Sequence, residues 1–154
     1  FNKRKPTMTK YLVSLTMLVL SNTALAANCT IDIEANDAMQ FNQPNLTIDS
    51  SCKKVTLTLK HTGKLPANAM GHNWVMAKSA DMTDIANTGM AAGLSNNYLP
   101  NNDKRVIAST KIIGGGQSDI IEIDTSKLTK GGDYVFFCSF PGHWAIMKGK
   151  VSVI

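Results

Sequence analysis

The chain has 154 residues, with 16 Lys and Arg against 11 Asp and Glu, and a formal net charge of +5. This length is enough for one domain with a hydrophobic core and short for two. Four of the basic residues and none of the acidic ones precede Ala27, which leaves 12 basic against 11 acidic residues and a net charge of +1. A domain so close to neutral lacks the dense basic surface on which nucleic-acid binding depends, so that class is excluded.

The first 26 residues have the organisation of a secretory signal peptide. Four basic residues within positions 3–10 precede an apolar run at 11–20, and small residues end at Ala26 as at a cleavage site. The run is too short for a comfortable membrane span, and an uncleaved anchor is the alternative. We expect cleavage after about Ala26, export to the periplasm, and a single mature domain at 27–154 that does not insert into the membrane. Met8 is interpreted as a start, with residues 1–7 upstream of it.

From Ala27 onward the sequence predicts mostly short β-strands. Alternation of polar and apolar residues indicates eight strand segments: 30–34, 46–49, 55–61, 73–78, 105–108, 119–124, 133–139 and 147–154. One segment rich in Ala and Met predicts a helix at about 81–92, with Ser79 or Asp81 as its N-cap and a stop near Gly93. About eight strands and one short inserted helix predict an all-β fold, a Greek-key β-sandwich.

Three cysteines are an odd number for an exported protein. Cys29 and Cys52 flank the first two strand candidates and form the natural disulfide pair. In the chain-entropy model, closing a loop of about 24 residues stabilises the fold by roughly 3 kcal/mol. Cys138 is then left as a lone thiol, and metal ligation explains its presence.

The segment from Cys138 to Met147 places a thiolate, an imidazole and a thioether in one loop, with the spacing C-x4-H-x3-M through His143. The Pro141-Gly142 turn allows Cys138 and His143 to point at one atom. A second imidazole is offered by His72. Two His and one Cys with a weak Met ligand are typical of an electron-transfer copper centre, because soft sulfur ligands suit copper and imidazole suits both of its oxidation states.

This motif and four further segments resemble the azurins, a family of small bacterial blue copper proteins. The segments are 36–42, 68–75, 105–108 and 134–138, and the resemblance covers roughly residues 27–154. It implies a cupredoxin fold and one type 1 copper, Cu(I) or Cu(II), that carries one electron at a time in the periplasm. It also implies the Gly71 carbonyl as a weak axial contact opposite Met147.

The resemblance further implies an exposed apolar patch around His143, through which the electron passes to a docked partner. Its expected members are Met39, Leu65, Met70, Met90, Phe140, Pro141, Gly142 and Trp144. The implied partners are c-type cytochromes or a copper nitrite reductase, and encounters of this kind are weak and fast. The protein itself is expected to be a monomer.

Two residues are expected beside the ligands, where hydrogen bonds to the copper-bound sulfur tune the potential. Asn73 is predicted to bridge the His72 and Cys138 segments, and Phe140 follows Cys138 in the ligand loop. The remaining histidine, His61, ends a strand and shares no motif with the others, so we expect a structural role for it.

Three alternatives compete with the electron carrier. A cysteine hydrolase would use Cys138 and His143, but no oxyanion-hole signature accompanies them. A zinc hydrolase would leave one position open for water, which the apolar thioether of Met147 discourages. A copper storage or delivery protein would use related ligands and release the metal readily. We therefore predict that the protein is not an enzyme.

Overall fold

Residues 27–154, which the computed structural model describes, form a sandwich of two β-sheets. The strands are β1 (Thr30–Asn36), β2 (Gln40–Phe41), β3 (Asn45–Ile48), β4 (Lys54–His61), β5 (Val75–Lys78), β6 (Ala108–Ser109), β7 (Ser118–Asp124), β8 (Tyr134–Phe137) and β9 (Lys148–Val153). The α-helices are α1 (Ala67–Met70) and α2 (Met82–Met90), and short 3-10 helices occupy Ser79–Asp81, Leu94–Asn96 and Thr125–Lys127. The predicted signal peptide lies outside the described residues.

One sheet has the strand order β2-β1-β4-β7 and the other the order β3-β9-β8-β5-β6. The pairs β1–β4 and β3–β9 are parallel, and the other neighbouring strands are antiparallel. Parallel neighbours cannot be joined by a tight hairpin, so the chain passes from sheet to sheet. The predicted all-β sandwich with one inserted helix is confirmed.

The core lies between the sheets and follows the alternation seen in the sequence. In β4 the residues Val55, Leu57 and Leu59 are buried and alternate with more exposed ones. Trp74 and Phe136 stack in this core with ring centroids 5.9 Å apart. All four residues of β8 are buried, because α2 packs on the outer face of that sheet. The strand that leads into Cys138 is therefore held from both sides.

The element boundaries differ from the predicted ones in a few places. Residues 27–154 contain nine strands where about eight were predicted. The additional strand is β2, whose two residues are too few to show an alternating pattern, and α1 was also not predicted. The strand predicted at 105–108 is β6, which begins at Ala108, because Asp103 holds the preceding residues in a turn. Its Oδ1 accepts a hydrogen bond from Arg105 N at 3.0 Å, and its carbonyl accepts one from Val106 N at 3.1 Å.

The predicted helix at 81–92 is α2, preceded by a 3-10 turn. Neither proposed N-cap residue makes a side-chain capping hydrogen bond. Ser79 Oγ donates instead to Asp133 Oδ1 at 2.7 Å, so it ties the start of this helical segment to the β8 side of the sheet.

Cys29 and Cys52 form the predicted disulfide, with their Cα atoms 5.7 Å apart. The bond joins the segment before β1 to the loop before β4. Of the helices at positions 27–154, none is long and apolar enough to cross a membrane.

Candidate metal centre

His72, Cys138 and His143 converge where β8 ends. Cys138 Sγ lies 3.8 Å from His72 Nδ1 and 3.6 Å from His143 Nδ1. The three candidate ligand atoms all lie within 4.8 Å of one another, and each residue is at most 3% exposed. No other group of three His, Cys, Asp or Glu side chains converges in this way within the described part of the chain.

The loop between β8 and β9 holds three of the four predicted ligands. Cys138 directly follows β8 and Met147 directly precedes β9, and Cys138 N donates to the Met147 carbonyl at 3.0 Å. Inside the loop, Gly142 has a φ of 83°, a conformation that glycine adopts at little cost. His143 N then donates to the Phe140 carbonyl at 3.0 Å, and Met147 N to the His143 carbonyl at 2.8 Å. Strand pairing and turn chemistry together fix the loop, and Met147 is buried in it at 1% exposure.

His72 comes from the other predicted segment, between α1 and β5. Its backbone forms an isolated bridge with Ile113, with N–O distances of 3.0 and 2.8 Å. Its Nε2–H donates to the Asn36 carbonyl at 2.8 Å, so the neutral ring presents the Nδ1 lone pair towards Cys138. Burial lowers the pKa of His72 to about 4. The imidazole is therefore uncharged at neutral pH, and its Nδ1 lone pair is free to bind a metal ion.

Gly71, the predicted weak contact, precedes His72 and has its carbonyl oxygen 3.9 Å from Cys138 Sγ. A Cβ atom at this position would lie 2.2 Å from the Ala67 carbonyl oxygen and 2.5 Å from Ile112 Cγ2. Only glycine lets the backbone approach so closely, and this close approach brings the carbonyl to the site.

The thiol of Cys138 is fully buried, and this burial raises its pKa to about 12. Two backbone N–H groups, from Asn73 and Phe140, oppose that rise by donating hydrogen bonds to the sulfur. A buried thiolate with two donors and two neutral imidazoles around it requires a cation to compensate its charge. The donor set of one thiolate, two imidazoles and a nearby thioether fits copper.

Asn73 links the two ligand segments. Its Oδ1 accepts from Ser139 N at 2.8 Å, and its Nδ2 donates to Ser139 Oγ at 2.8 Å and to the Asn97 carbonyl at 3.1 Å. Ser139 Oγ donates to the same Asn97 carbonyl at 2.9 Å. Asn73 and Ser139 are both fully buried, so this network holds the His72 strand against the Cys138 loop without help from solvent.

His143 lies against Phe140 and is more buried than expected, at 3% exposure. Its ring centroid is 4.5 Å from that of Phe140, which in turn meets Tyr98 edge-on at 5.2 Å. Burial lowers the pKa of His143, which keeps it neutral. Trp144 packs against the small core under α2, beside Val106.

The residues predicted to form the apolar patch are mostly at the surface. Leu65 and Met90 are each 43% exposed. Gly142 is exposed, and the half-buried members are Met39, Met70, Phe140, Pro141 and Trp144. Met39 lies beside Met147 in a shallow groove of about 330 Å³ that Ile146 also lines.

Three contributors escaped prediction: the Asn36 carbonyl, the Asn97 carbonyl and Ser139. Ser139 directly follows Cys138 in the sequence, and this position could have indicated its role. The Asn36 and Asn97 contributions are made by backbone carbonyls, which leave no mark in side-chain identity.

The fold and the site together define a copper protein of the cupredoxin class. Residues 27–154 match the family described as copper binding proteins, plastocyanin/azurin family. Azurin-1 of Alcaligenes xylosoxydans xylosoxydans is 56% identical over 128 residues, which are 83% of this chain and 99% of that protein. The azurin of Pseudomonas aeruginosa is 50% identical over 147 residues, which are 95% and 99% of the two chains.

The solved structure of the azurin Az-iso2 from Methylomonas sp. strain J superposes with a TM-score of 0.80 at 41% identity, covering 83% of this chain and 99% of that one. The chain belongs to the plastocyanin/azurin family of copper-binding electron carriers. Copper is its cofactor, and electron transfer is its function.

Proposed function

We propose that the protein carries single electrons in the periplasm on one copper ion held by His72, Cys138 and His143, with Met147 as a fourth, weaker ligand. The observation that carries this assignment is the convergence of Cys138 Sγ and two Nδ1 atoms within 4.8 Å in a buried pocket. Copper, when bound, supplies a one-electron couple.

The chain's contribution is to hold these donors in one arrangement. Asn36 fixes the His72 ring, the Asn73 network fixes the spacing between the two ligand segments, and strand pairing fixes Cys138 against Met147. Because these supports do not depend on the oxidation state, little has to move when the charge changes. The buried, apolar surroundings also exclude water from the ligands.

This bracing supports the carrier over the alternatives. A storage or delivery protein has to release its metal, which rigid ligands oppose. A cysteine hydrolase needs an accessible thiolate, whereas Cys138 is fully buried and its pKa is raised to about 12. We infer that the protein is not an enzyme.

Export and domain boundaries belong to the same proposal. The signal-like sequence at 1–26 supports cleavage near Ala26 and a mature domain at 27–154. The disulfide between Cys29 and Cys52 fits an oxidising compartment.

The primary test is the visible absorption spectrum of the copper-loaded exported protein, before and after ascorbate. We expect an intense thiolate-to-copper band that bleaches on reduction, returns on oxidation, and is absent from Cys138→Ser. Met147→Leu should change the spectrum or the reduction potential. Met76→Leu is the matched control, since Met76 is equally buried but lies in β5, and it should change neither. A protein that binds copper and stays colourless would refute the carrier and favour storage.

We further propose that redox partners, c-type cytochromes or a copper nitrite reductase, dock on the apolar patch, with the protein acting as a monomer. Support comes from the exposure of Leu65 and from Phe140, which is half-buried and has its ring centroid 4.5 Å from that of His143. Leu65→Asp should slow electron exchange with a c-type cytochrome by at least about tenfold, because docking would bury the new carboxylate in an apolar contact. Ile120→Asp, on a residue of β7 that is 64% exposed, is the control and should leave the rate unchanged. Equal rates in the two variants would exclude this docking face.

A further inference from the structure

The turn that joins β1 to β2 supplies the acceptor that orients His72. The Asn36 carbonyl accepts from His72 Nε2 at 2.8 Å and from Met39 N at 3.2 Å. Asn36 pairs with Gln40, so three residues form the loop, and Met39 closes it with a φ of 56°. Glycine normally occupies this left-handed position, because a Cβ atom disfavours it. Inside the turn, Asn36 Oδ1 accepts from Ala38 N at 2.9 Å. Contacts from outside add to this support.

Next to the turn, Thr62 N donates to the Ala35 carbonyl at 2.8 Å. The contacts made from the tip of the turn come from the side chain of Asp37. It crosses to the loop after β4, where Oδ2 accepts from Lys64 N at 2.8 Å and Oδ1 from Leu65 N at 3.4 Å. The carboxylate lies directly on Gly63, where a Cβ atom would be 2.1 Å from Oδ1. The hydrogen bond from Lys64 N is the main reason that the pKa of Asp37 is lowered, so the side chain is an anion at neutral pH.

The loop that Asp37 holds also supports the other face of His72. Gly63 N donates to His61 Nδ1 at 3.0 Å, and His61 Nε2–H donates to the Met70 carbonyl at 2.8 Å. The buried His61 ring stacks on His72 with centroids 4.5 Å apart, and its Nε2 is 3.8 Å from Asp37 Oδ1. Asp37 therefore touches both supports of His72: the turn that carries Asn36, and the loop that fixes the stacked ring.

We propose that Asp37 is a positioning residue for His72, acting through the Asn36 carbonyl and the 63–65 loop, and that it sets the spacing of Met39 and Leu65 on the apolar patch. The assignment of a copper role to this position rests on the proposed function, whereas its effect on the His72 ring does not. A carboxylate suits the task because it only accepts hydrogen bonds, and two backbone donors are aimed at it. An amide at the same position can accept only one of them without turning its own donor towards a second N–H.

The test compares Asp37→Ala, Asp37→Asn and Asp49→Ala. Asp49 is the control: it is likewise half-buried and accepts a backbone N–H, from Ser51 at 2.8 Å, but it follows β3 at the far end of the sandwich. The readout is solvent exchange of the His72 Nε2–H and of the Lys64 and Leu65 amides, followed by NMR on the metal-free protein. The absorption spectrum and reduction potential of the copper-loaded protein are recorded in parallel.

We expect Asp37→Ala to accelerate exchange of all three protons by at least about tenfold, Asp37→Asn to have an intermediate effect, and Asp49→Ala to have none. The spectrum and potential should follow the same order. Faster exchange at Lys64 and Leu65 with an unchanged His72 proton would overturn the proposal, since Asp37 would then act on its loop alone. An unchanged Lys64 amide would overturn it as well.

Because the exchange is read without copper, the outcome is independent of the metal assignment. A colourless copper complex would defeat the proposed function and leave the positioning role of Asp37 standing. Asp37→Asn, which keeps the size of the side chain, provides the answer if Asp37→Ala does not fold.

Discussion

Replacing Asn73 with alanine tests whether the buried polar network holds the two ligand segments together. The change removes three hydrogen bonds, two to Ser139 and one to the Asn97 carbonyl. Ser139 N–H is then left without its acceptor inside the protein, at a cost of about 1–3 kcal/mol. The Asn97 carbonyl keeps Ser139 Oγ as a donor, so the other losses add only about 1 kcal/mol. We expect the free energy of unfolding to fall by about 2–4 kcal/mol.

Urea unfolding of the metal-free protein measures this loss, and an unchanged m-value shows that the same surface is exposed on unfolding. Asn42→Ala is the matched control. Asn42 Oδ1 also accepts a backbone N–H, from Glu34 at 2.9 Å, but it is exposed, so water replaces the lost bond and the loss should stay below about 1 kcal/mol. If Asn73→Ala costs no more than Asn42→Ala, the network does not hold the two segments together.

Three further predictions concern the metal-free protein. The double substitution of Cys29 and Cys52 by serine should lower the free energy of unfolding by roughly 3 kcal/mol, measured by urea titration; a loss below about 1 kcal/mol would contradict the chain-entropy account of this 23-residue separation. Between pH 7 and pH 4.5 the unfolding free energy should fall by about 2–3 kcal/mol, because burial lowers the pKa of His72 from 6.5 to about 4 and the unfolded chain takes up the proton first. The lowered pKa of His143 acts in the same direction, and His72→Gln should flatten the profile; an equal slope in that variant would contradict the reasoning. Alkylation of Cys138 at pH 8 should be at least about 10³-fold slower in native protein than in urea, because burial raises its pKa to about 12; comparable rates would show that the thiol is accessible.

The sequence alone predicted the core-facing residues of the strands and the ligand loop, because both depend on local chemistry. The alternation in β4 determined which residues face the core, because side chains on a strand alternate between faces. The spacing from Cys138 to Met147 determined a ligand loop, because a Pro-Gly turn and the two flanking strands close it over a short distance. The soft sulfur and imidazole donors in that loop indicate copper by their chemistry alone, without any long-range contact.

The tertiary structure decided what brings distant segments to the same point. Asn36 and Asn97 act through carbonyl oxygens, and every residue has one, so their roles depend only on where the fold places them. The burial of His143 is also a tertiary property, since its ring lies 5.0 Å from that of His72, which comes from a distant segment. The donor types are fixed by residue identity, whereas their burial, their orientation and their pKa values arise only when the two sheets pack together, because desolvation is produced by neighbours that are remote in the chain.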